Sequence, residues 1–347
     1  MNSKISRRSA LKTTGAVLAG AASGAMGFPA LVRSQQQKRL LKPVVAGLNG
    51  KEGDPTYMSI SLVPKILREK YDVQVDFQIH PSSSLGTDLS QLDAVQTGFI
   101  DITSNVTAQF SQYDRSFDVL DLPYIVSDWD MAARVVKSEL WQKQSKAFES
   151  KVPVKVLPPV GAGGFRLLSN NVRALPTPDA VQGLKFRSVT SPLDIELIKA
   201  WGGNPTPMAW AETYTALQQK VVQGYHVQPI WTFNFKGYEV LKYATEVKAI
   251  FAIQFQVMNM NTWKSLPEAI QKPMMMAFEE AAAIGNAEDR KAEDTFKEEL
   301  KKKGMEIYTP SAAELAKWRE KGESIWATAG KDVPRGLIDE VRALRTA

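Results

Sequence analysis

The sequence predicts an α/β protein made of two successive units, each with helices flanking a mostly parallel sheet. Three observations carry this. From Pro43 onward, short apolar runs alternate with helix-length amphipathic segments, the order that builds a parallel sheet covered by helices. The alternation is interrupted by a glycine cluster, Gly161-Ala162-Gly163-Gly164, and then starts again. A chain of 347 residues also suits about two domains at the usual ~150 residues each.

Residues 35–40 read as a flexible start. Pro43–Leu48 reads as a strand. Thr56–Lys70 places Met58, Ile60, Leu62, Val63, Ile66 and Leu67 at helical spacing. Val73–Ile79 alternates apolar with polar residues and reads as a strand. Asp88–Gly98 is a helix turning Leu89, Leu92 and Val95 inward, and Ile100–Ser104 a short strand. Pro123-Tyr124 ends an irregular stretch, Trp129–Ser150 is helical, and Val152–Val160 is a strand. The glycine cluster that follows is either a hinge, since glycine permits the backbone change a hinge needs, or a plain tight turn. It lacks the G-x-G-x-x-G spacing of a dinucleotide site.

In the second unit Phe165–Leu168, Leu184–Val189, Val221–Val227 and Lys248–Asn259 read as strands. Pro192–Trp201 and Glu212–Gln219 read as helices. A long helix runs from Pro267 to Lys303, weakly interrupted at Pro273 and Gly285, with its Glu and Lys residues on a solvated face. Residues 311–326 form one more helix, and Lys331–Ala347 a weak terminal one.

Composition removes several classes of function. The absence of cysteine excludes disulfides, thiolate metal sites and a cysteine nucleophile. With only two histidines, His80 and His226, a multi-histidine metal cluster is excluded as well. The net charge of +6 comes almost wholly from Lys4, Arg7, Arg8, Lys12 and Arg33, leaving 38 bases against 37 acids after residue 34. That balance gives no basic face for nucleic acid.

Those early bases belong to an address. Ser6-Arg7-Arg8-Ser9-Ala10-Leu11-Lys12 precedes a weakly apolar, Gly- and Ala-rich stretch, Thr13 to Val32. A charged start, an apolar middle and small residues near the end describe an export signal, and the paired arginines point to the twin-arginine route. Ala10 stands where that route usually has Phe. Residues 1–34 are expected to be removed, which puts the mature protein in the periplasm.

The most specific pattern lies in the second unit. Gly183-Leu-Lys-Phe-Arg187-Ser-Val-Thr-Ser-Pro192 leads into Gly203-Asn-Pro-Thr-Pro-Met-Ala-Trp210, then Glu212-Thr-Tyr-Thr-Ala-Leu-Gln-Gln219, Val221-Val-Gln-Gly224 and Tyr238-Glu-Val240. In order and spacing this resembles the solute-binding proteins of tripartite ATP-independent periplasmic (TRAP) transporters, of the dicarboxylate-binding type. Phe165-Arg166-Leu-Leu-Ser-Asn170, Asp121-Leu-Pro-Tyr124, Gly86 and Gly98-Phe-Ile-Asp101 extend the resemblance over roughly residues 41–325. It implies a two-lobe periplasmic binding protein fold, with hinged lobes and a long helix spanning both. It also implies that the lobes close on an organic acid and that the loaded form docks on TRAP permease membrane subunits. The boundaries expected are 1–34 for the signal, 41–163 with about 253–291 for lobe I, 164–252 with about 292–325 for lobe II, and 326–347 for a C-terminal tail. Hinges are expected near Gly161–Gly164 and Lys248–Asn261.

The resemblance makes Arg187 the arginine that holds the ligand carboxylate. A guanidinium is always charged and its planar fork matches both carboxylate oxygens. Arg166 is implied as a second contact to a carboxylate or hydroxyl, or else as the partner of an acid across the cleft. The sequence departs from the family after Gly224. Tyr225-His226-Val227-Gln228 puts Val227 where a ligand-contacting Asn is usual, so Gln228 or His226 becomes the candidate replacement. Trp210 matches a pocket position, and Trp231 belongs to the same aromatic neighbourhood; Phe251 and Phe255 read better as core packing. Asn49, Glu52, Tyr57 and Asn105 are candidates because they lie where strands of an open α/β sheet end, which is where such sheets receive ligands.

The leading expectation is therefore a monomeric, non-enzymatic binding protein with no catalytic residue, no cofactor and no metal. Its partners are a small organic acid and a permease, not nucleic acid. The departure at Val227 and the aromatic residues favour a 2-oxo or 2-hydroxy acid with an apolar or aromatic substituent. The alternatives are a periplasmic enzyme acting on a small organic acid, or a binding protein serving a sensor or another transporter class.

Overall fold

The computed structural model describes residues 38–39 and 42–345; the expected leader, residues 1–34, lies outside the described residues. The first unit opens with β1 (Lys38–Arg39) and β2 (Val44–Leu48). Thr56–Lys70 forms two helices rather than one, α1 (Pro55–Ser61) and α2 (Val63–Tyr71), because Pro64 lacks the N–H that would continue the ladder. Val73–Ile79 is similarly divided into β3 (Val73–Gln74) and β4 (Phe77–His80). Helix α3 (Asp88–Thr97) starts at Thr87, whose hydroxyl accepts the Ser90 N–H, and stops at Gly98, where φ is 78°. Strand β5 (Ile102–Val106) and the short α4 (Thr107–Phe110) lead to a 3-10 turn, Arg115–Asp121.

The single helix expected over Trp129–Ser150 is two, α5 (Trp129–Lys137) and α6 (Glu139–Lys151). Ser138 is extended between them and caps α6 by accepting the Trp141 N–H at 3.2 Å. Pro158 and Pro159 split the next strand into β6 (Val154–Val156) and β7 (Val160–Phe165). The glycine cluster is therefore the middle of a buried strand, not a turn. Gly163 and Gly164 have φ of 100° and 75°, and a Cβ on Gly163 would collide with Ile230, so both conformation and close approach require glycine there.

The second unit contains β8 (Leu167–Asn170), β9 (Lys185–Ser188), α7 (Pro192–Ala200), β10 (Asn204–Pro207) and α8 (Trp210–Gln218). It continues through β11 (Gly224–Val227), α9 (Pro229–Asn234) and β12 (Tyr243–Thr245). Strand β13 (Phe251–Asn259), α10 (Met260–Ser265), α11 (Glu268–Lys302), β14 (Glu306–Tyr308), α12 (Ala312–Glu323) and α13 (Arg335–Ala343) complete the chain. The prolines of β10 gave no strand signal in the sequence; they are tolerated because β10 lies at a sheet edge.

These elements form two lobes, each built on a sheet. The first sheet has the order β4-β2-β5-β13-β6 with β7 also on β13, and the second β10-β9-β11-β8-β12-β14. Both are mixed rather than mostly parallel. Strand β13 is antiparallel to β5, β6 and β7, and β8 is antiparallel to β11 and β12. Each of these two strands enters its sheet directly from the other lobe, so no helical crossover obliges it to run parallel. Arg166 alone separates β7 from β8, and its N–H donates to the carbonyl of Ile250 at 3.1 Å, just before β13. The two crossings thus lie side by side.

Helix α11 is the long spanning helix: it packs on α1, α2 and β7 in one lobe and on α9 and β14 in the other. It also clasps the glycine strand. The Gly161 N–H donates to Asn286 at 2.5 Å and the Gly163 N–H to Asp289 at 2.6 Å. Phe255 of β13 sits in an aromatic cluster with Phe110, Phe117, Trp141 and Phe148. The segment expected as a C-terminal tail with a weak helix holds α13, whose Leu337 and Val341 are buried in that core.

Candidate functional site

A cavity of about 50 Å³ lies between the two sheets. Lobe II supplies one wall. Arg187 stands on β9 beside Tyr225 of β11; its strand neighbour Phe186 points into the core, so alternation turns Arg187 to the other face. Arg187, Arg166, His226, Gln228, Trp210 and Trp231 all line the cavity, as do Val189 and Val227. Lobe I supplies Asn49 just after β2, Asp88 at the start of α3, Val106 at the end of β5 and Gln254 in β13.

The two arginines differ in their partners. Arg166 places Nη1 3.1 Å from Asp194 Oδ1 and Nη2 4.0 Å from Asp121 Oδ1, and Asp194 also accepts the Val189 N–H at 2.9 Å. Burial pushes the Asp121 carboxyl up to about 7 against the pull of Arg166. The charge of Arg166 is therefore already met. Arg187 gives Nε and Nη2 to the Met208 carbonyl at 3.2 and 3.0 Å and lies 5.6 Å from the Trp210 ring centroid. Among the described residues no carboxylate stands within ion-pair distance of it. Burial lowers its pKa, opposed first by the charge of Asp88, but a guanidinium remains charged even so. Its Nη1 makes no hydrogen bond among the described residues.

His226 is buried edge-on to Trp201. Burial, then the nearby Arg166, holds it well below its usual 6.5, so the ring is neutral, and neither nitrogen has a partner. Trp231 donates its ring N–H to the Ala162 carbonyl at 2.9 Å, which ties α9 to the glycine strand. Asn49 borders the cavity with its amide satisfied: it donates to Asn105 at 2.7 Å and accepts from Ser83 and Gln91 at 3.1 Å each. Asn105 is buried behind it, out of the cavity wall. Glu52 is exposed in the β2–α1 loop and Tyr57, on α1, packs on the lobe I core; neither lines the cavity.

Asp88 and Gln254 were not singled out in the sequence. Asp88 looked like an ordinary first-turn acid of a helix. Gln254 did leave a signal: every residue of β13 is buried, and a polar side chain in such a strand needs a partner. Gln256 has two, Ser59 and the Pro158 carbonyl, whereas Gln254 Oε1 has none and borders the cavity. A larger groove of about 470 Å³ opens between α5, α6, β6 and α11, but none of the residues singled out above reaches it.

Two sheet-built lobes joined by paired crossings, with a cavity lined by buried charged residues between them, define the class of two-lobe solute-binding proteins. The family of bacterial extracellular solute-binding proteins, family 7 (DctP), matches residues 46–332, and the chain belongs to it. It is 30% identical over 259 residues, 73% of this chain and 76% of the relative, to the C4-dicarboxylate-binding periplasmic protein DctP of Rhodobacter capsulatus. It is 26% identical over 306 residues, 85% of this chain and 91% of the relative, to the 2,3-diketo-L-gulonate-binding periplasmic protein YiaO of Escherichia coli. Among solved structures, a TRAP periplasmic solute-binding protein from Bordetella, described with density assigned to pantoate, superposes with a TM-score of 0.80 at 25% identity, covering 87% of this chain and 99% of that one. A second from Sulfurospirillum deleyianum, with bound succinate, gives 0.82 at 23%, covering 88% and 99%.

Proposed function

We propose that this protein captures a small organic acid between its lobes in the periplasm and delivers it, chemically unchanged, to the membrane subunits of a TRAP permease. The observation that carries the reading is Arg187: a fully buried guanidinium facing a cavity, without a carboxylate of its own. A buried charge is costly unless paired, and a ligand carboxylate meets that need with the geometry a planar fork prefers. Family membership supports the transport role. In this reading lobe I takes 41–163 and about 253–291, lobe II 164–252 and about 292–325. The lobes close about the paired crossings at Arg166 and Ile250, and residues 1–34 serve as a twin-arginine leader.

The test is mass spectrometry of ligand carried through native purification, followed by calorimetry on the acid identified. Truncating one partner of a desolvated charge pair costs ~2–5 kcal/mol, so Arg187→Ala should weaken binding by roughly 30- to several-thousand-fold. A folded Arg187→Ala protein that binds within threefold of the wild type overturns the reading.

A further inference from the structure

Unpartnered polar atoms stand on both walls of the cavity among the described residues. On the lobe II wall they are the Nη1 of Arg187, the ring N–H of Trp210 and the two nitrogens of the neutral His226, one a donor and one an acceptor. On the lobe I wall they are acceptors: Asp88 Oδ1 and Gln254 Oε1. Asp88 is buried on the cavity wall, and its other oxygen accepts the Gln109 amide at 2.9 Å, which fixes the carboxylate and leaves Oδ1 without a partner among the described residues. We propose that this protein selects small acids that also carry a hydroxyl group, the carboxylate meeting Arg187 on one lobe and the hydroxyl donating to Asp88 on the other. The inference rests on the carboxylate-capture reading and narrows it.

The chemistry of Asp88 separates the ligand classes. An ionised carboxylate accepts and does not donate. A ligand hydroxyl can satisfy it; a keto oxygen brings a second acceptor to the same point, and a methylene leaves Oδ1 desolvated and unpartnered. The second carboxylate of a dicarboxylate would meet a like charge inside a closed cavity. The selection therefore belongs to the ionised form of Asp88, which the charge of Arg187 and the Gln109 amide favour and burial, the larger influence, disfavours. A site built to bond a hydroxyl rejects the analogue lacking it strongly, because its buried polar group is left unpaired. A ligand that reaches both walls also links the lobes, so the same hydroxyl that confers selectivity favours the closed form. The cavity of about 50 Å³ confines the choice to short acids.

The experiment is calorimetry at neutral pH with acids of three to six carbons: hydroxy acids with the hydroxyl at carbon 2, 3 or 4, their oxo and unsubstituted counterparts, and succinate. The best hydroxy acid should bind at least about tenfold more tightly than its oxo and unsubstituted analogues and than succinate. Asp88→Asn keeps the shape and replaces the charge with an amide that can donate. It should weaken the hydroxy acid by about tenfold or more and narrow or invert the preference over the oxo acid. An oxo acid, an unsubstituted acid or succinate binding the wild type within threefold of the best hydroxy acid overturns this proposal and leaves carboxylate capture standing. Failure of every acid to bind overturns both. The wild-type series decides the matter even if Asp88→Asn does not fold.

Discussion

Arg166 and Arg187 come from the same motif-rich region, and the sequence offered both as ligand contacts. Their surroundings assign different consequences to their loss. Removing Arg166 would leave Asp194 buried without its 3.1 Å partner and Asp121 without its nearest cation. Breaking a buried pair in this way costs ~3–5 kcal/mol, because the remaining charge is uncompensated. Arg166→Ala should therefore lower the stability of the empty protein by about that much in urea unfolding, whereas Arg187→Ala should leave it nearly unchanged and act on affinity. Equal destabilisation by the two would contradict the assignment. The identity of both residues was legible in the sequence; the acids that neutralise one of them were not, because Asp121 and Asp194 approach Arg166 only through tertiary packing.

At the scale of elements, the contact between α11 and β7 holds a pH-dependent weakness. Asp289 of α11 accepts the Gly163 N–H at 2.6 Å, and its other oxygen has no partner. Burial pushes its carboxyl up to about 7, with Glu293 and Asp54 adding to the rise. A carboxyl raised above the ~3.9 of an unfolded chain favours the folded state when protonated and opposes it when ionised, so its cost grows as pH climbs from about 4 to 7 and is constant above. Asp289→Asn retains an acceptor for Gly163 without the charge. It should stabilise the protein, with a gain that increases from pH 4.5 to 7.5 in melts run across that range; a pH-independent gain would be the wrong outcome. Element type was largely readable from apolar periodicity, and the misreadings have local causes. Pro64, Ser138 and the Pro158-Pro159 pair each break a run whose hydrophobic pattern continues through them. The glycine strand was unreadable as a strand, since its justification is the Ile230 side chain and the Asn286 amide and Asp289 carboxylate of α11, all more than sixty residues away. Asp88 was hidden for the opposite reason: its local role at a helix start was sufficient explanation.

For the whole molecule, the lobes meet beside the cavity at a polar contact. Asp54 before α1 accepts from the Asn234 amide at the end of α9, and Lys51 Nζ donates to the Asn234 carbonyl at 2.6 Å. Burial raises the Asp54 carboxyl to about 6 despite the Lys51 N–H and Asn234 bonds. Opening the lobes would return it to water and to ~3.9, so closure on a ligand should take up protons. The uptake from Asp54 should approach about 0.8 proton near pH 5 and vanish above pH 7.5. Calorimetry in buffers of differing ionisation heat measures it, and Asp54→Asn should remove that share; an unaltered uptake would sink the explanation. The position of β13 has a consequence of another kind. It is the fourth strand in order across the first sheet, between β5 and β6, yet it is made only after most of lobe II. On a ribosome adding ~5–20 residues per second, the interval between Val106 and Phe251 lasts roughly 7 to 30 s. Through that time β5 presents an unpaired edge of the kind that recruits stray strands. Lobe I, although first to emerge, waits for β13 until most of lobe II has been made, and a nascent chain stopped anywhere before residue 251 carries half a sheet in need of a guardian.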